Sequence, residues 1–87
     1  MAEGELIGRV THVFDRINVA VVSLSQTLSV GDTVHFLGRH TDFQQQITSM
    51  QVEHEPVTRG EAGSEVAIRA KQRVHSGDSL YRIAGES

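Results

Sequence analysis

The run Ile17-Asn18-Val19-Ala20-Val21-Val22-Ser23-Leu24 constrains this chain more than any other stretch. It is β-branched and places Ala20, Val22 and Leu24 at every second position, so an extended strand gains one apolar face that a helix would scatter around its axis. The neighbouring segments follow suit. Leu6 to Phe14 reads as a first strand with Leu6, Ile7, Val10, Val13 and Phe14 apolar, and its imperfect period of two, with Gly8 inside it, predicts a bulge. Asp15-Arg16 turns the chain into the second strand.

A third strand opens after Gly31-Asp32, with Val34 and Phe36 on one face and Thr33, His35 and Leu37 on the other. Gly38 to Asp42 reads as a loop. Phe43 to His54 then reads as one long strand with Ile47, Met50 and Val52 as its apolar positions, and Gln44, Gln45 and Gln46 mark a partly exposed edge. Pro56 has no N–H to give a central ladder, so Glu55 to Gly63 is expected to be a connection, with one helical turn around Val57 to Gly60. Ser64 to Ala70 makes a fifth strand, with Val66 and Ile68 alternating with polar residues, and Asp78 to Ala84 a sixth, carrying Leu80, Tyr81 and Ile83. The aromatic residues Phe14, Phe36, Phe43 and Tyr81 are assigned to the core.

Six strands and no helix in 87 residues predict an all-β fold, a small closed six-stranded antiparallel β-barrel forming a single domain over residues 1–87, ordered from about 5 to 84. A domain this small buries only about 60–65% of the surface its unfolded chain exposes. Closure would let every strand contribute to one core and leave no long unpaired edge. Apolar residues make up 38% of the chain and Pro occurs once, which favours folding over disorder.

One pattern recurs: Leu28-x-x-Gly31-Asp32-x-Val34 and Val74-x-x-Gly77-Asp78-x-Leu80 share the order apolar-x-x-Gly-Asp-x-apolar. It is read as a structural turn, with Gly in a left-handed conformation, Asp bonding nearby backbone and the flanking apolar residues entering the core.

For chemistry the chain offers little. Without cysteine there is no disulfide framework and no thiolate metal site. His12, His35, His40, His54 and His75 are not paired at metal-binding spacing, although His12 and His35 would meet if their strands were neighbours. No Gly-x-Ser-x-Gly elbow surrounds Ser23, Ser25, Ser29, Ser49 or Ser76, and Glu53 and Glu55 beside Pro56 look like a solvated strand end. The expectation is therefore a protein that is not an enzyme and needs no cofactor. No basic leader or membrane-length apolar run is present, so it is expected in the cytoplasm and off the membrane.

The net charge of −3 argues against indiscriminate coating of nucleic acid, yet its distribution is uneven. If successive strands are antiparallel, one end gathers Arg16, Arg39, Lys71 and Arg73 with His40 and His75 against Asp15, Asp42 and Asp78. The other end gathers Glu3, Glu5, Asp32, Glu53, Glu55, Glu61, Glu65 and Glu86 against Arg59. Arg16, Arg39, His40, Lys71, Arg73 and His75 are the candidate phosphate-contacting residues.

With these residues placed, the chain resembles the β-barrel second domain shared by elongation factor Tu and other translational GTPases, over nearly its whole length. The likeness rests on Ile7-Gly8-Arg9-Val10, Leu28-x-x-Gly31-Asp32-x-Val34, Ile47-x-Ser49-Met50, Val57-x-x-Gly60-x-Ala62-Gly63-x-x-Val66-x-Ile68 and Gly77-Asp78-x-Leu80-Tyr81. It implies a non-catalytic, elongation factor-like module that binds tRNA, ribosomal RNA or other translation components. It does not imply GTP hydrolysis, because no Gly-x-x-x-x-Gly-Lys-Ser/Thr loop is present. A related barrel also occurs as an appended domain at the end of larger collagenase-like peptidase-family proteins implicated in RNA modification, and the likeness fits that setting equally well. The second expectation is a protein–protein adaptor docking through the Gln44 to Gln46 strand or the acidic end, and a weaker third is an enzyme with an unrecognised site.

Overall fold

Burial alternates with sequence along the segments Val19–Leu24, Thr33–Gly38, Thr41–Gln46 and Glu65–Arg69. A computed structural model describes residues 4–83, which form strands β1 (Glu5–Phe14), β2 (Val19–Leu24), β3 (Leu28–Ser29), β4 (Thr33–Gly38), β5 (Thr41–Gln46), β6 (Met50–Val52), β7 (Glu55–Val57), β8 (Arg59–Gly60), β9 (Glu65–Arg69) and β10 (Ser79–Ile83). Ala84, expected at the end of the last strand, and Glu3 and Glu86, expected at the acidic end, lie outside the described residues.

Ala20, Val22 and Leu24 of β2, Val34 and Phe36 of β4, Val66 and Ile68 of β9 and Leu80 of β10 are all buried in one core. Phe36 and Phe43 stack at its centre with ring centroids 5.1 Å apart. Phe14 does not join them: it is 48% exposed, and Tyr81 is only half-buried. β1 turns over the core with two register shifts, one between Leu6 and Gly8 and one between Val10 and His12. A Cβ at Gly8 would come within 2.7 Å of the Ser23 carbonyl, which is why the first shift falls where the side chain is missing.

The strands are all antiparallel, but the closed six-stranded barrel is not what forms. Eight strands make one sheet in the order β5-β4-β10-β1-β2-β9-β6-β7, and β3 and β8 make a separate two-stranded sheet. The large sheet therefore ends at β5 and β7, with no ladder between its edges. One side chain crosses the gap beside β5: the buried Gln45 amide donates to the Arg69 carbonyl at 3.0 Å and accepts from the Lys71 N–H at 2.7 Å. A side-chain amide takes the place of a strand-to-strand ladder there.

Two further expectations give way for backbone reasons. The single strand from Phe43 to His54 is broken after Gln46, because the Ile47 N–H donates to the Asp32 carbonyl and its own carbonyl accepts from Gly31 N–H, both at 2.8 Å. This draws Ile47 into the core at 1% exposure, and the chain resumes as β6 against β9 instead of β4. The helical turn around Val57 to Gly60 is absent; β7 pairs with β6, and β8 pairs with β3 through Leu28 with Gly60 and Ser29 with Arg59. Pro56 sits within β7, at the sheet's edge, where a missing donor is tolerated.

The repeated Gly-Asp motif is a repeated turn. Asp32 N–H donates to the Ser29 carbonyl and Asp78 N–H to the His75 carbonyl, both at 3.1 Å. Gly31 and Gly77 occupy the third positions at φ of 101° and 96°, the type II arrangement that favours glycine. Each Asp carboxylate then accepts the backbone N–H three residues earlier, from Ser29 at 3.0 Å and His75 at 2.8 Å.

Candidate functional site

At the end expected to be basic, the segment from Ala70 to Asp78 is strapped across the turns that join β1 to β2 and β4 to β5. Asn18, held at φ 55°, donates its amide to the carbonyls of Ala70 at 2.8 Å and Gln72 at 3.1 Å. His75 Nδ1 lies 3.1 Å from the Thr41 hydroxyl, and Ser76 Oγ donates to the Thr11 carbonyl at 3.3 Å. Lys71 and Arg73 thereby flank a shallow depression of about 300 Å³ beside Asp15 and Asn18. His40 and His75 meet edge to face, 6.0 Å between ring centroids. Arg16 and Arg39 stand exposed on their own turns. Asp42 and Asp78 do not neutralise the cations: Asp42 pairs with His35 at 2.6 Å, and Asp78 is buried in its turn.

No nucleophile is assembled at this end. The Thr41 hydroxyl and the Asp78 carboxylate both address His75 Nδ1, at 3.1 and 4.0 Å, whereas a relay needs the carboxylate on one ring nitrogen and the hydroxyl on the other. Thr41 is also buried, at 4% exposure. His12 and His35 are not neighbours, since β10 lies between their strands; His12 packs against Phe14 with centroids 4.6 Å apart. Among the described residues no group of three or more His, Cys, Asp or Glu could hold a metal ion. Among the same residues no helix is long and apolar enough to cross a membrane.

At the acidic end Arg82 is the residue that charge counting overlooked. It donates to the Thr27 carbonyl, pairs with Glu5 at 3.0 Å and lies 3.6 Å from Asp32. Two of the expected carboxylates are thus tied into the fold.

A concavity of about 570 Å³ lies on the outer face of the sheet. Val21 of β2 and Ala67 of β9 are register partners and belong to its lining, with Phe14 from β1 on one side and the turn between β6 and β7 on the other. That turn is two residues long, Val52 pairing with Glu55, and both its residues have positive φ, Glu53 at 52° and His54 at 68°. Positive φ at both central residues is the type I′ signature, for which Asn and Gly are the usual choices. Non-glycine residues there carry backbone strain of about 1 kcal/mol or more each. Glu53, His54 and Glu65 rim the groove, and no Lys or Arg lines it. Sequence reading missed this site because it assigned Phe14 to the core and Glu53 to an ordinary strand end, and no Asn-Gly pair announces the turn.

An antiparallel sheet with a strapped basic end and an acidic outer groove defines a small all-β module. The sequence matches no family model. Over 78 residues, 88% of its length, it is 32% identical to a protein of Methanocaldococcus jannaschii named as an uncharacterized protease, and it spans 19% of that protein. Two crystal structures share its fold, both of the C-terminal domain of a Geobacillus thermoleovorans protein named as a U32 peptidase. The first, the selenomethionine variant, covers 88% of this chain and 98% of the domain, and the second 90% and 91%; each has a TM-score of 0.84 and 20% identity.

These likenesses overturn the translational assignment. The similar proteins are named as a protease and a peptidase, not as elongation factors, so the translation-factor and ribosome expectations fall, and with them the expectation of a protein that is not an enzyme. The physical reason is visible in the residues that carried the resemblance. Ile7, Gly8, Val10, Leu28, Val34, Ile47, Met50, Gly60, Val66, Ile68 and Leu80 are buried, and Gly31-Asp32 and Gly77-Asp78 are turns. Such residues specify a fold and carry no information about what it binds.

Proposed function

We propose that this chain works as the C-terminal-type module of a U32-type peptidase, and that the protein it serves cleaves polypeptides. The observation that supports this most is the alignment of 88% of the chain, at 32% identity, onto 19% of a protein named as a protease. The match to an isolated C-terminal domain agrees with that proportion. In such a protein the module contributes by holding polypeptide or catalytic domain in position, a role that agrees with His75, Thr41 and Asp78 not forming a nucleophile and base.

A graft tests this. In the Methanocaldococcus jannaschii protein the matching stretch is replaced by this chain, and cleavage of gelatin and fluorogenic casein is compared with the intact and the truncated parent. The graft should keep the parent's turnover within about threefold while truncation lowers it at least about tenfold. An intact parent that cleaves neither substrate, truncation without effect, or a folded but inactive graft would each refute the assignment.

A further inference from the structure

We infer that the outer-face groove holds an extended polypeptide segment carrying a Lys or Arg beside an apolar side chain. The inference rests on the peptidase-module assignment, since it names what such a module holds. Three independent features of the groove point the same way.

The first is charge. Glu53 and Glu65 are exposed at the rim and enter no ion pair among the described residues, whereas Glu5, Asp32 and Glu61 are paired with arginines. Two free carboxylates over a groove without Lys or Arg suit a cationic side chain, which gains most where the walls are apolar and local water is few. The second is the apolar surface. Phe14, at 48% exposure, stands beside the partly open Val21 and Ala67, and although its ring packs on His12 and pairs across the strand with Val19, it leaves apolar surface open to the groove. The third is the strained turn. Glu53 and His54 are held at positive φ where Asn-Gly would be relaxed, and strain of this kind is kept where it aims side chains at a site.

The volume of about 570 Å³ falls within the range of about 300–1,000 Å³ typical of ligand clefts. Binding by strand addition at the adjacent edge is disfavoured. In a two-residue hairpin the residues flanking the turn exchange both backbone bonds, so the next pair, Gln51 with Pro56, directs its backbone groups away from the partner strand. The donor missing at Pro56 is therefore one that the free edge of β7 would have offered. Side-chain capture in the groove is what the face permits.

The isolated chain tests this, so a negative result leaves the graft experiment to stand or fall separately. Two unstructured, fluorescein-labelled nonapeptides are titrated, one alternating Lys with Phe and one alternating Glu with Phe, by fluorescence anisotropy and by amide NMR shifts. The Lys peptide should bind at least about tenfold more tightly than the Glu peptide and weaken with added salt. Its shifts should centre on Phe14, Val21, Glu53, His54, Glu65 and Ala67. A Glu53→Lys, Glu65→Lys double variant that unfolds at the wild-type temperature should lose the binding, and Phe14→Ala should weaken it for both peptides. Equal affinity for the two peptides, no binding at millimolar peptide, or shifts centred on the Lys71 and Arg73 end would overturn the inference. So would concentration-dependent shifts of the groove without peptide, which would make a second copy of the chain the occupant.

Discussion

Asn18 shows how much one residue can carry in a chain this short. Its φ of 55° is one that Asn tolerates better than most side chains, and its amide satisfies two carbonyls of the segment that closes the basic end. Asn18→Ala should cost about 2–3 kcal/mol in urea unfolding, combining the backbone penalty with two lost hydrogen bonds. Asn18→Gly, which relieves the backbone, should cost about half as much. If the two variants are equally destabilised, the left-handed conformation is not what selects Asn. A comparable test lies at Gly38, where an added Cβ would run into the Asp78 carboxylate. Gly38→Ala should destabilise by about 1–3 kcal/mol and loosen the turn that holds His75, visible as faster amide exchange there.

Among the elements, β5 and the β6–β7 hairpin depart most from expectation, and each for a reason that strand patterning does not contain. Gln45 lies in a run of three glutamines that reads as solvated edge, yet it is 7% exposed while Gln44 and Gln46 are open to solvent. Alternation is therefore kept, with an amide where a hydrocarbon would normally sit, because the Arg69 carbonyl and Lys71 N–H need partners. Gln45→Leu should cost about 2–3 kcal/mol by stranding both groups, more than Gln44→Leu or Gln46→Leu, with the midpoint of chemical denaturation as the measure. At the hairpin the sign reverses. Glu53→Asn with His54→Gly should raise stability by about 1 kcal/mol in the same assay, since it relaxes two strained residues. A loss of stability would mean that Glu53 or His54 makes compensating contacts.

Over the whole molecule, the pairing of Glu5 with Arg82 and of Val19 with Arg69 makes the sheet depend on contacts between distant parts of the chain. Folding should accordingly take milliseconds to seconds, and Phe36→Ala at the centre of the core should cost about 3–5 kcal/mol, which in so small a domain approaches its whole stability. Stopped-flow refolding and thermal melts check the two.

The core strands, their facing and the Gly-Asp turns were legible from sequence because each depends on neighbours within a few residues: Val34 and Phe36 face inward by strand period, and Gly31 and Gly77 turn by their own φ preference. The register bulge at Gly8 was legible for the same reason. The candidate groove was not. Its surface joins β1, β2, β9 and the turn after β6, and nothing local to Phe14 tells whether its ring meets the core or the solvent.

The sequence by itself determined an all-β fold, the inward face of its regularly alternating strands and its repeated turn, since period-two alternation and glycine's freedom act over short distances. Only the tertiary structure decided that the sheet stays open between β5 and β7, that Gln45 spans the gap beside β5, that Arg82 balances the acidic end, and that Phe14 stands outside. Each of these depends on which backbone groups and charges come together from far apart in the chain, a matter of packing geometry that residue patterns do not record.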